Sequence, residues 1–445
     1  MSNERTTRNG ACQWTPGRYR ALMRARGPRS VQFRTRVAIL LGAVAIGLAA
    51  TAFAAAADAA ADVFASYAVR YRWAPLVTTP LLFVALVWLT RRYVPLARGS
   101  GIPQVIAAQS DPARATGSLV SVRTVVGKAL LTLAAVTGGA SVGREGPTVQ
   151  IAAAVMGVSH RLLRVPLRGA VLIAGGAAGV AAAFNTPLAG LLFAIEELAS
   201  AYEQKVTLLV IAAIVIAGMV AQSVQGDYVY FGVISAHMSL AAALVAVPIA
   251  GVVGGAAGGL FARSALALAT GTSPVTRWSK RHPVGFAALC GLIVGVLGVA
   301  TGLTWGTGYG AARAMILGTD APLWFGPAKF VATLATAVAG LPGGIFAPSL
   351  AVGAGVGNLL QPLFPGSSAS AIVILGMVAY FAGVVRAPLT AVIILSETTA
   401  SRGLMLPMFA AAFIADGVSQ LICREKLYHG LSLTFVMPSK DDRRT

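Results

Sequence analysis

Five carboxylates stand inside otherwise apolar stretches of this sequence: Glu145, Glu196, Glu197, Glu397 and Asp416. An ionisable side chain is costly in such a setting and marks a functional site by default, usually as a group that takes up and releases protons. Glu145 has a second possibility. In "GREGPTVQI" (143–151) a glycine turn leads into an apolar run with proline in its first turn, where the missing N–H is harmless to a helix. A helix start leaves free N–H donors and the positive end of the helix dipole, and both favour an anion. The Glu145 carboxylate is therefore placed to fill an anion site itself, and protonation would neutralise it and release that site. A structural N-terminal cap or an ion pair with Arg144 is the alternative. Glu196 and Glu197 are adjacent and point in different directions on a helix, so one is expected at an internal interface and the other towards water. Asp416 has no partner visible in the sequence and reads as structural.

The surroundings must hold these groups in a bilayer. Of 445 residues, 56% are hydrophobic and 11% charged, and the mean hydropathy is +0.75. A soluble domain carries about a quarter charged residues. Uncharged runs cover 37–57, 169–195, 206–226, 228–262, 284–312 and 330–385, against the roughly 20 residues that span a membrane as helix. They do not alternate apolar and polar, which excludes a transmembrane β-barrel. The net charge of +20 is a topology signal and not a nucleic-acid footprint. Nine arginines precede residue 37 against one acid, Glu4, and further clusters, "RRYVPLAR" (91–98) and "RLLRVPLR" (161–168), sit between apolar runs. Positive flanks stay cytoplasmic. The start is too long and polar for a signal peptide. Cys12, Cys290 and Cys423 form no paired spacing, and His160, His237, His282 and His429 are dispersed. Neither disulfides nor a metal site is expected, and the histidines read as loop or interface residues.

The chain also repeats itself. "KALLTLAAVTGGASVGREGP" (128–147) aligns without gaps on "KFVATLATAVAGLPGGIFAP" (329–348), and the same 201-residue shift lays "NTPLAGLLFAIEE" (185–197) on "RAPLTAVIILSET" (386–398). Lys128 falls on Lys329, Pro147 on Pro348, Pro187 on Pro388 and Glu196 on Glu397. Glu197 falls on Thr398, and this loss of symmetry is the expected mark of a special task. Transport folds built from inverted repeats place their sites where Gly/Pro-broken helices of the two halves meet. "GREGP" and "GIFAP" are such a pair, and "GSGIPQVIAAQ" (99–109) repeats the recipe ahead of a helix too short to cross. Three such starts in one chain point to an anion pathway.

With "GSGIP", "GREGP" and "GIFAP" in this order, "AAAFNTPLAGLLFAIEE" (181–197) and the late tyrosine of "KLYHG" (426–430), the chain resembles the CLC family of chloride channels and chloride/proton antiporters over most of residues 35–435. The resemblance implies an all-α polytopic membrane protein of two inverted structural repeats with broken and re-entrant helices. It implies a homodimer with one pore per subunit. Ser100 and Tyr428 would offer hydroxyls to a central chloride, with the backbone N–H groups of Ile345 and Phe346 completing the site. Glu145 would be the outer gating carboxylate and Glu197 the inner proton-transfer group of the exchangers. Fluoride-exporting relatives alter the first motif and lack the inner glutamate, and nitrate-preferring relatives carry proline at the Ser100 position, so chloride is favoured. The ending at Thr445 resembles compact prokaryotic members without regulatory domains.

The expected organisation is a basic cytoplasmic tail (1–32), one transmembrane domain (33–438) with repeat halves near 75–222 and 284–423, and a polar tail (439–445). The expected location is the cell inner membrane with both termini cytoplasmic. The expected function is chloride/proton antiport without a cofactor or nucleic-acid partner, with a passive chloride channel as the alternative. An enzyme is not expected, because no nucleophile–base or metal-ligand pattern accompanies the carboxylates.

Overall fold

In lipid a backbone must satisfy its own hydrogen bonds, so Ala/Val/Leu/Gly blocks fold as helices and are broken where proline or glycine interrupts them. The computed structural model describes residues 27–198, 208–226, 228–319, 321–401 and 403–435. In chain order the helices are α1 (Pro28–Arg70), α2 (Pro75–Tyr93), α3 (Ile102–Ala108), α4 (Pro112–Ala115), α5 (Val122–Thr137), α6 (Glu145–Leu162), α7 (Gly169–Phe184) and α8 (Pro187–Phe193). A π-helical turn, Ala194–Leu198, extends α8. There follow α9 (Leu208–Gln225), α10 (Leu240–Thr270), α11 (Pro274–Arg281), α12 (Pro283–Thr301), α13 (Tyr309–Ile316), α14 (Phe325–Ala339), α15 (Phe346–Leu360), α16 (Ala369–Val385), α17 (Pro388–Thr399), α18 (Met405–Ile422) and α19 (Leu427–Ser432). Among the described residues β-structure is confined to two isolated bridges, Gly99 with Pro342 and Gly143 with Gly344. Among the described residues five helices are long and apolar enough to cross a membrane: Arg29–Arg70, Leu208–Gln225, Leu240–Thr270, Pro283–Thr301 and Met405–Ile422. The expected tails 1–32 and 439–445 lie almost entirely outside the described residues, except that α1 already begins at Pro28.

The 201-residue shift carries α5, α6, α7 and α8 onto α14, α15, α16 and α17. It holds at the backbone too. Asn185 closes α7 with φ 58° and Arg386 closes α16 with φ 61°, and Gly139 and Gly340 share positive φ at 76° and 85°. A left-handed arginine costs about 1–2 kcal/mol. Arg386 is held there by an ion pair of 3.2 Å with Asp416 and by the Arg424 carbonyl, which accepts from its Nη1 at 2.9 Å. Asp416 thus has a partner that its distance in sequence concealed.

The central pair, α7 and α16, are apolar all round and accordingly enclosed: every residue from Leu172 to Phe184 and from Ala371 to Val385 is buried. Small residues let the neighbours close in, as expected of helices packed in membranes. A Cβ on Gly357 would stand 2.5 Å from Val373 Cα, and one on Gly258 would stand 2.7 Å from the Tyr380 carbonyl.

The two halves also cap each other. The Glu196 carboxylate accepts from the N–H groups of Leu389 (3.0 Å) and Thr390 (2.6 Å) at the start of α17. Glu397 accepts from Leu188 (3.3 Å) and Ala189 (2.9 Å) at the start of α8. Each carboxylate satisfies free donors at the positive end of the other half's helix. Glu196 is therefore the member of the pair that meets the repeat interface.

Candidate functional site

The three glycine loops converge. Gly143 and Gly344, just ahead of α6 and α15, exchange backbone hydrogen bonds of 2.7 and 2.8 Å. Gly99 donates to Leu341 O at 3.1 Å and accepts from Gly343 N at 3.2 Å, which ties the third loop to the second. Two helix N-termini thereby face one another with α3 beside them. The glycines are needed for proximity: a Cβ on Gly101 (φ 113°) would stand 2.6 Å from Gly146 O. A Cβ on Gly146 would collide with Ser100 Oγ, and one on Gly143 with Glu145 Oε2.

Glu145 opens α6 and is buried. The backbone N–H groups of Glu145 and of Ala347, the latter on the opposed α15, are directed at its carboxylate, and Oε2 has no partner among the described residues. The carboxylate thus lies where two helix starts favour negative charge. Of the two alternatives, a structural N-terminal cap and an ion pair with Arg144, the ion pair is not formed, whereas the backbone contacts are those a cap would make. Arg144 turns away to Asp58 (2.6 Å) and to Ala54 O (2.8 Å) on α1. Sequence reasoning missed Asp58 because it follows directly on the uncharged run that ends at residue 57 and was not counted among the carboxylates within apolar stretches. Helix α1 continues past it to Arg70.

Ser100 and Tyr428 are brought together from opposite ends of the chain. Among the described residues neither buried hydroxyl makes a hydrogen bond of regular geometry, yet the two lie close enough to interact with each other, and Tyr428 also feels Glu197 and Glu145. The Phe346 ring packs 5.9 Å from that of Tyr428. No carbonyl among the described residues accepts from the N–H groups of Ile345 or Phe346. Buried polar groups normally have partners. Two hydroxyls and two amides without partners therefore form a donor cluster matched to an anion.

Two cavities approach this cluster from opposite sides. One, of about 1150 Å³, is lined by Asp58, Arg144, Tyr228, Tyr230, Trp305 and Tyr309. The other, of about 550 Å³, is lined by Arg91, Arg98, Ser100, Lys280, Ile345 and Tyr428. Pro75 and Gly298 belong to the first, Thr90 and Pro283 to the second, so the cavities sit at opposite ends of α2 and α12. Val142 lines both, which leaves the junction of the glycine loops as the partition.

Glu197 lies in the π-turn and is fully buried, so the member of the pair that does not meet the repeat interface is not turned to water as expected. The extra residue in a π-turn rotates successive side chains apart: Glu196 reaches α17, and Glu197 faces the segment that carries Tyr428. Its neighbours are Lys426 Nζ at 3.9 Å and His429 Nδ1 at 3.6 Å. Sequence reasoning missed both; their place flanking the tyrosine in "KLYHG" was the available signal. His160, expected in a loop or interface, is instead a buried helical histidine with Nδ1 3.0 Å from Met156 O.

Residues 81–420 match the family described as voltage gated chloride channel. The chain belongs to this family. It is 31% identical over 405 residues, 86% of its length and 82% of the relative's, to the H(+)/Cl(-) exchange transporter ClcA of Yersinia pestis bv. Antiqua (strain Angola). A solved structure of a slow cyanobacterial Cl-/H+ antiporter matches with TM-score 0.77 at 23% identity, covering 91% of this chain and 98% of that one. A CLC-type fluoride/proton antiporter matches with TM-score 0.74 at 19% identity, covering 94% and 99%. These two structural likenesses show the fold alone. The voltage-gated chloride channel fold is all-α and polytopic, as the broken inverted repeats of the sequence imply.

Proposed function

We propose that the chain is a chloride/proton antiporter of the cell inner membrane. The observation that carries this reading is the Glu145 carboxylate, enclosed between two opposed helix starts on the partition between two cavities. An anion and this carboxylate compete for the same donors. When Glu145 is charged it fills the outer part of the anion path. When protonated it loses its attraction to the helix starts and yields to chloride, which binds Ser100, Tyr428 and the amides of Ile345 and Phe346. Swinging to the larger cavity, Glu145 exchanges its proton with the outer solution. Glu197 serves protons from the inner side, with Tyr428 between the two carboxylates. The 31% identical relative named as an H(+)/Cl(-) exchange transporter supports the coupling.

Arg91, Arg98 and Lys280 line the smaller cavity, and the positive-inside rule supports a cytoplasmic side for it and for both termini. The working unit is a homodimer in which each subunit contains a complete pathway. Reconstituted vesicles under an imposed chloride gradient test the reading. Uphill proton movement is expected; chloride flux without it would make the protein a passive chloride channel.

A further inference from the structure

The inner carboxylate is enclosed: Glu197 is 0% exposed, neither of its oxygens has a hydrogen-bond partner among the described residues, and Lys426 Nζ and His429 Nδ1 lie near it. The two neighbours differ in what they offer. Lys426 is engaged by the Glu196 carbonyl, which accepts from its Nζ at 3.1 Å. An imidazole exchanges its proton near neutral pH and has two nitrogens with which to do so. The His429 side chain is 36% exposed, yet its Nδ1 is buried, so the exposed surface belongs to the rest of the side chain. One histidine thus spans the boundary between solvent and a sealed carboxylate.

We propose that His429 is a proton relay that connects the inner solution to Glu197, an inference that rests on the antiport reading. A proton from inner water forms an Nε2–H bond on the ring. The Nδ1–H bond then breaks, its proton forms O–H on Glu197 Oε1, and the imidazole is left neutral with hydrogen on Nε2. The starting tautomer returns when the ring turns Nδ1 to the inner water, where Nδ1 gains a proton and Nε2 gives one up, with no net proton change, and the reverse order carries protons inward. At 3.6 Å the donor stands a few tenths of an ångström beyond hydrogen-bond length, a looseness common before the reacting state forms. Glu196 is excluded from the role because its carboxylate is committed to Leu389 and Thr390.

The test measures proton and chloride flux together in vesicles holding wild type, His429→Asn or His429→Ala, with all proteins oriented or gated from one side. For wild type, uphill proton movement is required; its absence sinks the antiport reading and the relay with it. With wild type coupled, His429→Asn and His429→Ala should lower the proton-to-chloride flux ratio by about tenfold or more while chloride still moves. Imidazole supplied on the inner side should raise the ratio of His429→Ala again, a recovery that a merely structural histidine would not give. A wild-type ratio in His429→Asn, a parallel loss of chloride and proton flux in both variants, or no response to imidazole would each overturn the relay and leave the antiport reading standing.

Discussion

At the level of single residues, the Glu145 carboxylate carries the sharpest expectation. Glu145→Gln removes the titratable group but keeps the shape, so chloride flux should persist while uphill proton movement falls to background in vesicle assays. Ser100→Pro deletes one hydroxyl from the donor cluster and should move anion preference from chloride towards nitrate, read as relative flux in paired gradients. Glu145, Ser100, Ile345, Phe346 and Tyr428 were legible because short motifs carry them, and a helix start announces itself by glycine and proline. Asp58 and His429 were not. An ion pair between α1 and α6, or an imidazole turned towards a glutamate over two hundred residues earlier, arises only from packing. Asp416 was misread as solitary for the same reason: its arginine lies 30 residues away, on the far side of a left-handed turn.

At the level of elements, the repeat register located helix starts well and helix extents poorly. Proline and glycine punctuate a start, whereas a run of alanines gives no signal of where α1 will stop. The register also exposes a difference between otherwise matched helices. Residues 194–198 form a π-turn, and their counterparts lie in the regular α-helix of Pro388–Thr399. The first half accommodates two carboxylates facing different ways; the second needs one. Removing either cap should unseat the partner helix: Glu196→Ala and Glu397→Ala are each expected to lower stability by about 1 kcal/mol, seen as a lower unfolding midpoint in detergent. Glu196→Ala should have the larger effect, because it also loses the 2.7 Å bond from Thr390 Oγ1. Gly376→Ala would drive a Cβ into the backbone of Gly357 and should destabilise by about 1–3 kcal/mol in the same assay.

At the level of the whole molecule, charge placement predicts an orientation that labelling can test. Arg161 lies in the last turn of α6, and Arg164 and Arg168 lie between α6 and α7, in the sequence cluster expected on the inner side. A cysteine replacing Arg164 should react with an impermeant thiol reagent only in inside-out vesicles; labelling of intact cells would reverse the assignment. The exchanged glutamate caps have a consequence for biosynthesis. Glu196 is made 193 residues before the Leu389 amide that it will bind. At a synthesis rate of roughly 5–20 residues per second, that gap lasts on the order of ten to forty seconds. Throughout it, the first half waits at the translocon with an unmated carboxylate and a bare α8 terminus. Neither half can finish maturing alone, and completion of the fold is timed by arrival of the second.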